Sequence, residues 1–228
     1  VLEANEDYFG KKASIKNLTF KIIPDANTAF VALETGEADL SFNVSPIDFE
    51  QAQNNEKFGT DSCAGNSCYF VNFNSEKLDK TVRQALCYAI NKETVNTMVN
   101  EGTGIVTNLP LLEGQEGYTT DLETYDYDVE KAKELLAQAG VEPGTLNIDF
   151  FYGEGTENDK LGQTLQSMFN EVGVNLTLNP VETGTWWQLF GEGDYYVSRG
   201  GYPMEAANTD MPYYDMYHKD GTFNVSRI

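Results

Sequence analysis

Histidine, cysteine and positive charge are scarce in this sequence of 228 residues. It has one histidine, His218, and three cysteines, so it offers no second imidazole for a metal site and too few thiols for a disulfide scaffold. Its 15 Lys and Arg stand against 36 Asp and Glu, a formal net charge of −21. Because a field of that sign repels phosphates, neither nucleic acid nor an anionic membrane is an expected partner.

Catalytic motifs and long apolar runs are also missing. The sequence contains no G-x-S-x-G elbow, phosphate-binding Walker loop, dinucleotide glycine fingerprint, H-E-x-x-H or C-x-x-C. No apolar run approaches the roughly 20 residues that cross a bilayer. Residues 1–10 have neither the basic start nor the apolar stretch of a signal peptide, which predicts a cytosolic chain or one cut from a longer secreted precursor. We therefore expect a binding protein, not an enzyme, with no cofactor and no metal.

The cysteines leave two alternatives open. Cys63 and Cys68 flank the segment AGNS, and the residues on either side are predicted to be strands joined by a turn. A short cross-strand disulfide is sterically possible there, and so are two free thiols. Cys87 falls inside a helical pattern and is predicted to be a small buried residue.

Hydrophobic periodicity predicts strands and helices in alternation along most of the chain. A strand at residues 18–23, a helix from residue 26 and a strand at residues 38–44 would form a short βαβ unit. Residues 209–228 show no period. Further strands are predicted at 68–74, 145–152, 174–181 and 194–200, and further helices at 79–90, 129–140, 157–173 and 185–193. The pattern predicts an α/β fold, a mixed β-sheet flanked by helices.

Four segments, in order, resemble the peptide/nickel-type (family 5) extracellular solute-binding proteins of ABC importers. They are residues 4–42, with a Tyr-Phe-Gly start and a TGEADL finish; 71–95, with VRQALCYAINKE; 125–140; and 173–202. The resemblance implies one lobe of a two-lobed, type II periplasmic-binding-protein-like fold. It implies an inter-lobe crossing at residues 1–16, the second lobe at 17–197, and a return crossing at 198–228 that leads into a missing first lobe.

The resemblance also implies a function. Such proteins capture oligopeptides or dipeptides outside the cell, close around them and deliver them to a membrane permease. We therefore expect an extracytoplasmic protein, periplasmic or lipid-anchored, and a monomer. An oligosaccharide or a nickel complex is the alternative ligand, and an acid-dependent hydrolase is the alternative from another functional class.

Candidate ligand-binding residues lie where predicted strands end, since ligands of open α/β sheets bind beyond the carboxyl ends of the strands. By resemblance, Glu205 is the acid that pairs with the α-amino group of a peptide, and Tyr202 is its aromatic neighbour. Trp186 and Trp187 stand where the family often has an aromatic that contacts the ligand, and since adjacent helical residues point about 100° apart, one can face the ligand and the other the core. Thr183 stands in the place where some members carry a Trp. Arg199 is expected to pair with a ligand carboxylate or, more in keeping with its position, with an internal acid. Tyr69 and Asn72 complete the predicted site.

Overall fold

The chain divides into two compact units, Val1–Cys63 and Ala64–Ile228. The computed structural model describes residues 1–42, 44–63, 65, 67–109, 111, 114–203, 210–224 and 226–227. Within these residues, no helix combines the length and the apolarity that crossing a membrane requires. The lobe boundaries at residues 16 and 197 remain predictions.

The first unit contains little regular structure. Strands β1 (Leu2–Glu3) and β2 (Asn17–Leu18) pair antiparallel, and two helices follow, α1 (Ala26–Glu34) and α2 (Pro46–Gln53). Helix α1 begins where the sequence predicts. In both helices the residue before the first turn, Asp25 or Ser45, accepts with its side chain a hydrogen bond from a backbone N–H group of that turn. The predicted βαβ unit is wrong. The strand at 18–23 stops at Leu18, and residues 38–42 and 44 are not in a strand.

The second unit is built on a four-stranded mixed sheet in the order β3-β6-β4-β5. Its strands are β3 (Ser67–Phe73), β4 (Leu146–Gly153), β5 (Val174–Val181) and β6 (Val197–Pro203). Strand β4 runs parallel to both β5 and β6, while β3 is antiparallel to β6. The mixed sheet agrees with the predicted fold class.

Helices cover both faces of this sheet. The helices of the second unit are α3 (Lys80–Ala89), α4 (Lys92–Asn100), α5 (Val129–Gln138), α6 (Thr156–Glu171), α7 (Thr183–Glu192) and α8 (Asp210–Tyr217). Because side chains alternate along a strand, Phe150 joins the main core with α3, α5 and α6, while Phe151 joins a smaller core with Phe190 of α7. Helix α8 is an element that the sequence pattern does not reveal.

The cysteines are free thiols. Cys63 is exposed, while Cys68 and Cys87 are partly buried. The residues just before Cys63 are not in a strand, so of the two predicted strands around the AGNS segment only the second, β3, forms.

Candidate ligand-binding site

Most of the predicted site residues lie near one edge of the sheet, the carboxyl edge, where the parallel strands end. The carboxyl ends of β4, β5 and β6 lie at this edge because the three strands are parallel, and antiparallel β3 begins there. Tyr69 and Asn72 lie on β3, Arg199 and Tyr202 on β6, and Thr183 and Trp186 on α7, which follows β5 almost directly. Glu205 lies outside the described residues.

The strand register divides these residues between the two faces of the sheet. Val71 is paired with Arg199 and Tyr69 with Gly201, whereas Asn72 is paired with Ser198 and Cys68 with Tyr202. Since paired residues point to the same face and successive residues to opposite faces, Tyr69 and Arg199 share one face and Asn72 and Tyr202 share the other. The structure therefore brings the predicted residues together in two groups.

Arg199 is engaged within the protein. Its Nη2 lies 3.8 Å from Glu157 Oε2, and its Nη1 donates a hydrogen bond to Asn158 Oδ1. The guanidinium also lies over the ring of Tyr69, 4.8 Å from the ring centre. The Arg199 side chain keeps 24% of its surface exposed and Glu157 keeps 71%. An exposed pair at that distance contributes little stability, so a ligand carboxylate could compete for Arg199.

Two buried donors carry no hydrogen bond. In the described part of the chain, Asn72 Nδ2 and Trp186 Nε1 are the buried side-chain nitrogen or oxygen atoms that lack a partner. The other polar atom of Asn72, Oδ1, accepts a hydrogen bond from Ser226 Oγ at 3.2 Å. Leaving a buried donor unpaired costs about 1–3 kcal/mol. Both residues belong to the site that the sequence predicts.

The two tryptophans of α7 differ in exposure. The ring of Trp186 stacks on Phe190 with centres 4.7 Å apart, while Trp187 is 52% exposed. Adjacent helical residues point about 100° apart, which separates the two rings. Trp186 packs beside Gly153 at the end of β4, where a Cβ would lie 3.9 Å from Trp186 Cγ. This places Trp186 at the carboxyl edge of the sheet.

The glycine pair Gly200–Gly201 lies inside β6. The sequence predicts that the strand ends at Gly200, but β6 continues to Pro203 and pairs with β3 along this length. A Cβ on Gly200 would lie 2.5 Å from Asn72 Nδ2 and 2.8 Å from Phe70 Cδ2, and one on Gly201 would lie 2.8 Å from Tyr69 Cδ1. The glycines are therefore required for close packing of the β3 side chains.

Tyr202 contacts Asp215 and Phe223, two residues that the sequence pattern does not single out. Its hydroxyl donates a hydrogen bond to Asp215 Oδ2 at 3.0 Å, and its ring meets that of Phe223 edge-on with centres 5.6 Å apart. Asp215 lies on α8, and Phe223 follows that helix. The high aromatic content of residues 210–224 is the only sequence signal that could have pointed to them.

Tyr152 belongs to the core. Its ring packs 5.0 Å from that of Phe150, and its hydroxyl donates a hydrogen bond to Asp159 Oδ1 at 3.1 Å. Burial, reinforced by the carboxylate of Asp159, raises the pKa of Tyr152 to about 12. Among the described residues, no group of three or more His, Cys, Asp or Glu side chains is placed to hold a metal ion.

Comparison with known proteins gives the family. The sequence profile of the "Bacterial extracellular solute-binding proteins, family 5 Middle" matches residues 1–224. The dipeptide-binding protein of Escherichia coli is 27% identical over 218 residues, which are 91% of this chain and 40% of the relative. The chain thus spans less than half the length of this relative.

Solved structures agree with the sequence comparison. The ABC transporter substrate-binding protein CtaP from Listeria monocytogenes superposes with a TM-score of 0.82 at 26% identity, covering 99% of this chain and 47% of that one. The periplasmic binding protein DppA from Helicobacter pylori, in complex with the peptide STSA, gives a TM-score of 0.75 at 26% identity, covering 98% and 43%. These matches confirm the predicted fold class, part of a type II periplasmic-binding-protein fold. The chain belongs to family 5 of the bacterial extracellular solute-binding proteins.

Proposed function

We propose that this chain is one lobe of a solute-binding protein that captures peptides outside the cell and delivers them to the membrane permease of an ABC importer. The E. coli relative is a dipeptide-binding protein, and the H. pylori structure holds a tetrapeptide, STSA. We call the longer protein that contains this chain the parent protein. It binds its ligand without turnover, works in the periplasm or lipid-anchored on the cell surface, and is a monomer.

The unpaired donors carry the assignment of the site. Asn72 Nδ2 and Trp186 Nε1 are buried without acceptors, and both lie on elements that reach the carboxyl edge of the sheet. A peptide in an extended conformation offers a carbonyl acceptor at every residue, and pairing a buried N–H with such a carbonyl removes the cost of leaving it unsatisfied. A peptide therefore supplies the chemistry that these two side chains lack.

Charged groups would orient the peptide. By resemblance, Glu205 pairs with the α-amino group, and a carboxylate–ammonium contact is strong when it is partly desolvated. Arg199, on the face of the sheet that carries Tyr69, is available to a carboxylate because its contact with Glu157 is long and Glu157 is exposed. Closure of the missing first lobe and this lobe around the ligand would complete the site and produce the form that docks on the permease.

A substitution at Trp186 tests this site in the parent protein. Trp186→Phe keeps an aromatic ring and removes only the unpaired N–H, so the stability of the ligand-free protein should stay the same or rise. Affinity for tripeptides, measured by isothermal titration calorimetry, should fall about fivefold to fiftyfold because the bound state loses a hydrogen bond. Tyr127→Phe is the control: it also removes one polar group from an aromatic side chain, but Tyr127 is 44% exposed and bonds Glu171 at the C-terminal end of α6, so the affinity should stay within about twofold.

Two further measurements decide between binding and catalysis. Mass spectrometry of small molecules released from the purified parent protein should identify intact peptides, and incubation with peptides should leave them uncleaved. Glu205→Gln should weaken peptide binding and leave the fold unchanged. Progressive hydrolysis that this substitution abolishes would show an enzyme and refute the proposal.

A further inference from the structure

An aromatic pocket borders the predicted site on the face of the sheet that carries Tyr202. It has a volume of about 30 Å³ and is lined by Phe70, Trp186, Trp187, Phe190, Gly201, Tyr202, Met216 and Phe223. The ring planes of Trp186 and Trp187 are inclined by 71°, and those of Tyr202 and Phe223 by 81°. Rings set at such angles present both faces and edges to a group that enters the pocket.

A carboxylate adjoins this pocket. Asp215 Oδ2 accepts the hydrogen bond of Tyr202 at 3.0 Å, and the carbonyl of Asp215 accepts one from the backbone N–H of Phe223 at 2.9 Å. Asp215 is partly buried, and both of its partners line the pocket. No Lys, Arg or His is found among the lining residues in the described part of the chain. Among the described residues, the pocket thus combines π faces with the negative charge of Asp215 and no lining positive charge.

We infer that this pocket receives the side-chain ammonium of a lysine-type residue of the bound peptide. Aromatic faces attract an alkylammonium group through their quadrupoles, and its methylene stem packs against apolar walls. The ammonium would also form an ion pair with the Asp215 carboxylate. A neutral side chain in the pocket would instead remove water from this carboxylate without offering it a charged partner. An acidic side chain would be repelled by Asp215 and by the net charge of −21.

This inference rests on the proposed function and adds a preference for a ligand side chain. The resemblance assigns the α-amino group of the peptide to Glu205, so the ammonium at Asp215 belongs to a side chain. The two acids would then bind different groups of the ligand. Any peptide with a free α-amino group could pair with Glu205, and only a peptide with a basic side chain could pair with Asp215.

Peptides that carry either lysine or norleucine test the inference. Trialanine derivatives that carry lysine or norleucine at position 1, 2 or 3 are titrated into the parent protein, because norleucine matches the lysine stem and lacks its charge. At one position we expect lysine to bind about tenfold tighter than norleucine. Asp215→Asn should reduce that ratio to within about twofold. Asp220→Asn is the matched control: its side chain is 62% exposed, it lies outside the lining residues, and the ratio should persist.

The ratio of lysine to norleucine affinity is measured within each variant. A substitution that only destabilises the protein would weaken both peptides alike and leave this ratio unchanged. Trp187→Leu provides a second variant at an exposed position and should lower the ratio about threefold by removing one aromatic wall. Equal affinities at all three positions, or a lysine preference that survives Asp215→Asn, would overturn the inference and leave peptide binding intact. Failure of every peptide to bind would overturn the proposed function together with the inference.

Discussion

Asn74 forms a hydrogen bond with Gly193, a residue 119 positions later in the sequence: Asn74 Nδ2 donates to the Gly193 carbonyl at 2.8 Å. Asn74 Oδ1 accepts a second bond from the backbone N–H of Glu76 at 3.0 Å. The side chain is fully buried. It therefore ties the residue that follows β3 to the turn between α7 and β6, where Gly193 has a φ of 73°.

Asn74→Ala should destabilise the second unit by about 1–3 kcal/mol, because it leaves the carbonyl of the buried Gly193 without this partner and removes the hydrogen bond to the Glu76 N–H. Urea unfolding followed by circular dichroism measures this change. Asn147→Ala, at an exposed position of β4, should cost less than about 1 kcal/mol. Similar losses at the two positions would show that the link to Gly193 contributes nothing special.

Gly200→Ala should destabilise the protein by about 1–3 kcal/mol, since the added methyl would overlap Phe70 and Asn72. Gly191→Ala is its control, because a Cβ there meets nothing within 4 Å and the residue lies in helix α7. Replacing a helical glycine by alanine should instead raise stability by up to about 1 kcal/mol. Thermal unfolding of the two variants should therefore shift in opposite directions, and a neutral Gly200→Ala would contradict the close packing of β6 on β3.

Tyr152 should make stability depend on pH in the alkaline range. Its pKa is about 12 in the folded protein, above the ordinary value of 10.0, so the unfolded chain loses the proton first. Its contribution is complete below pH 10 and is lost as pH rises from about 10 to 12.

Urea unfolding of Tyr152→Phe between pH 9 and 11.5 should therefore show a shallower decline than the original protein. Asp159→Asn should remove only part of the decline, because burial is the larger cause of the raised pKa and the hydrogen bond the smaller one. An unchanged slope in Tyr152→Phe would contradict the assignment.

The three thiols should react at different rates. Cys63 is exposed, whereas burial raises the pKa of Cys68 and of Cys87 and lowers their reactive thiolate fraction. A colorimetric disulfide reagent at pH 8 should modify one thiol quickly and two slowly, and all three quickly in concentrated urea. Cys63→Ser should remove the fast phase, and three equal rates in the folded protein would contradict the structure.

Local signals in the sequence predict most of the second unit. Strand β5 occupies residues 174–181 as predicted, and α5 begins after Asp128, whose Oδ1 accepts a hydrogen bond from the backbone N–H of Lys131 at 2.9 Å. A helix cap involves residues a few positions apart, and so does a hydrophobic repeat of 3.6 residues in a helix or 2 in a strand. Both can therefore be recognised in the sequence before the fold is known. The same is true of the four segments that resemble the family, because short segments and their order along the chain are properties of the sequence alone.

Tertiary structure alone decided how these elements meet. The alternating residues 18–23 read as a strand, yet only Leu18 pairs, and Phe20 and Ile22 are 66% and 93% exposed. A strand exists only where a partner completes its hydrogen bonds, and the pattern of one segment does not contain that partner.

The sequence by itself determined that this chain is acidic, α/β and built from family 5 segments, and it selected Asn72, Trp186, Arg199 and Tyr202 as candidate residues. Only the tertiary structure placed Arg199 and Tyr202 on opposite faces of β6, left Asn72 Nδ2 and Trp186 Nε1 unpaired, and brought Asp215 to Tyr202. The reason is physical: composition and periodicity are local properties, whereas a hydrogen bond between residues far apart depends on the register of strands and the path of the whole chain.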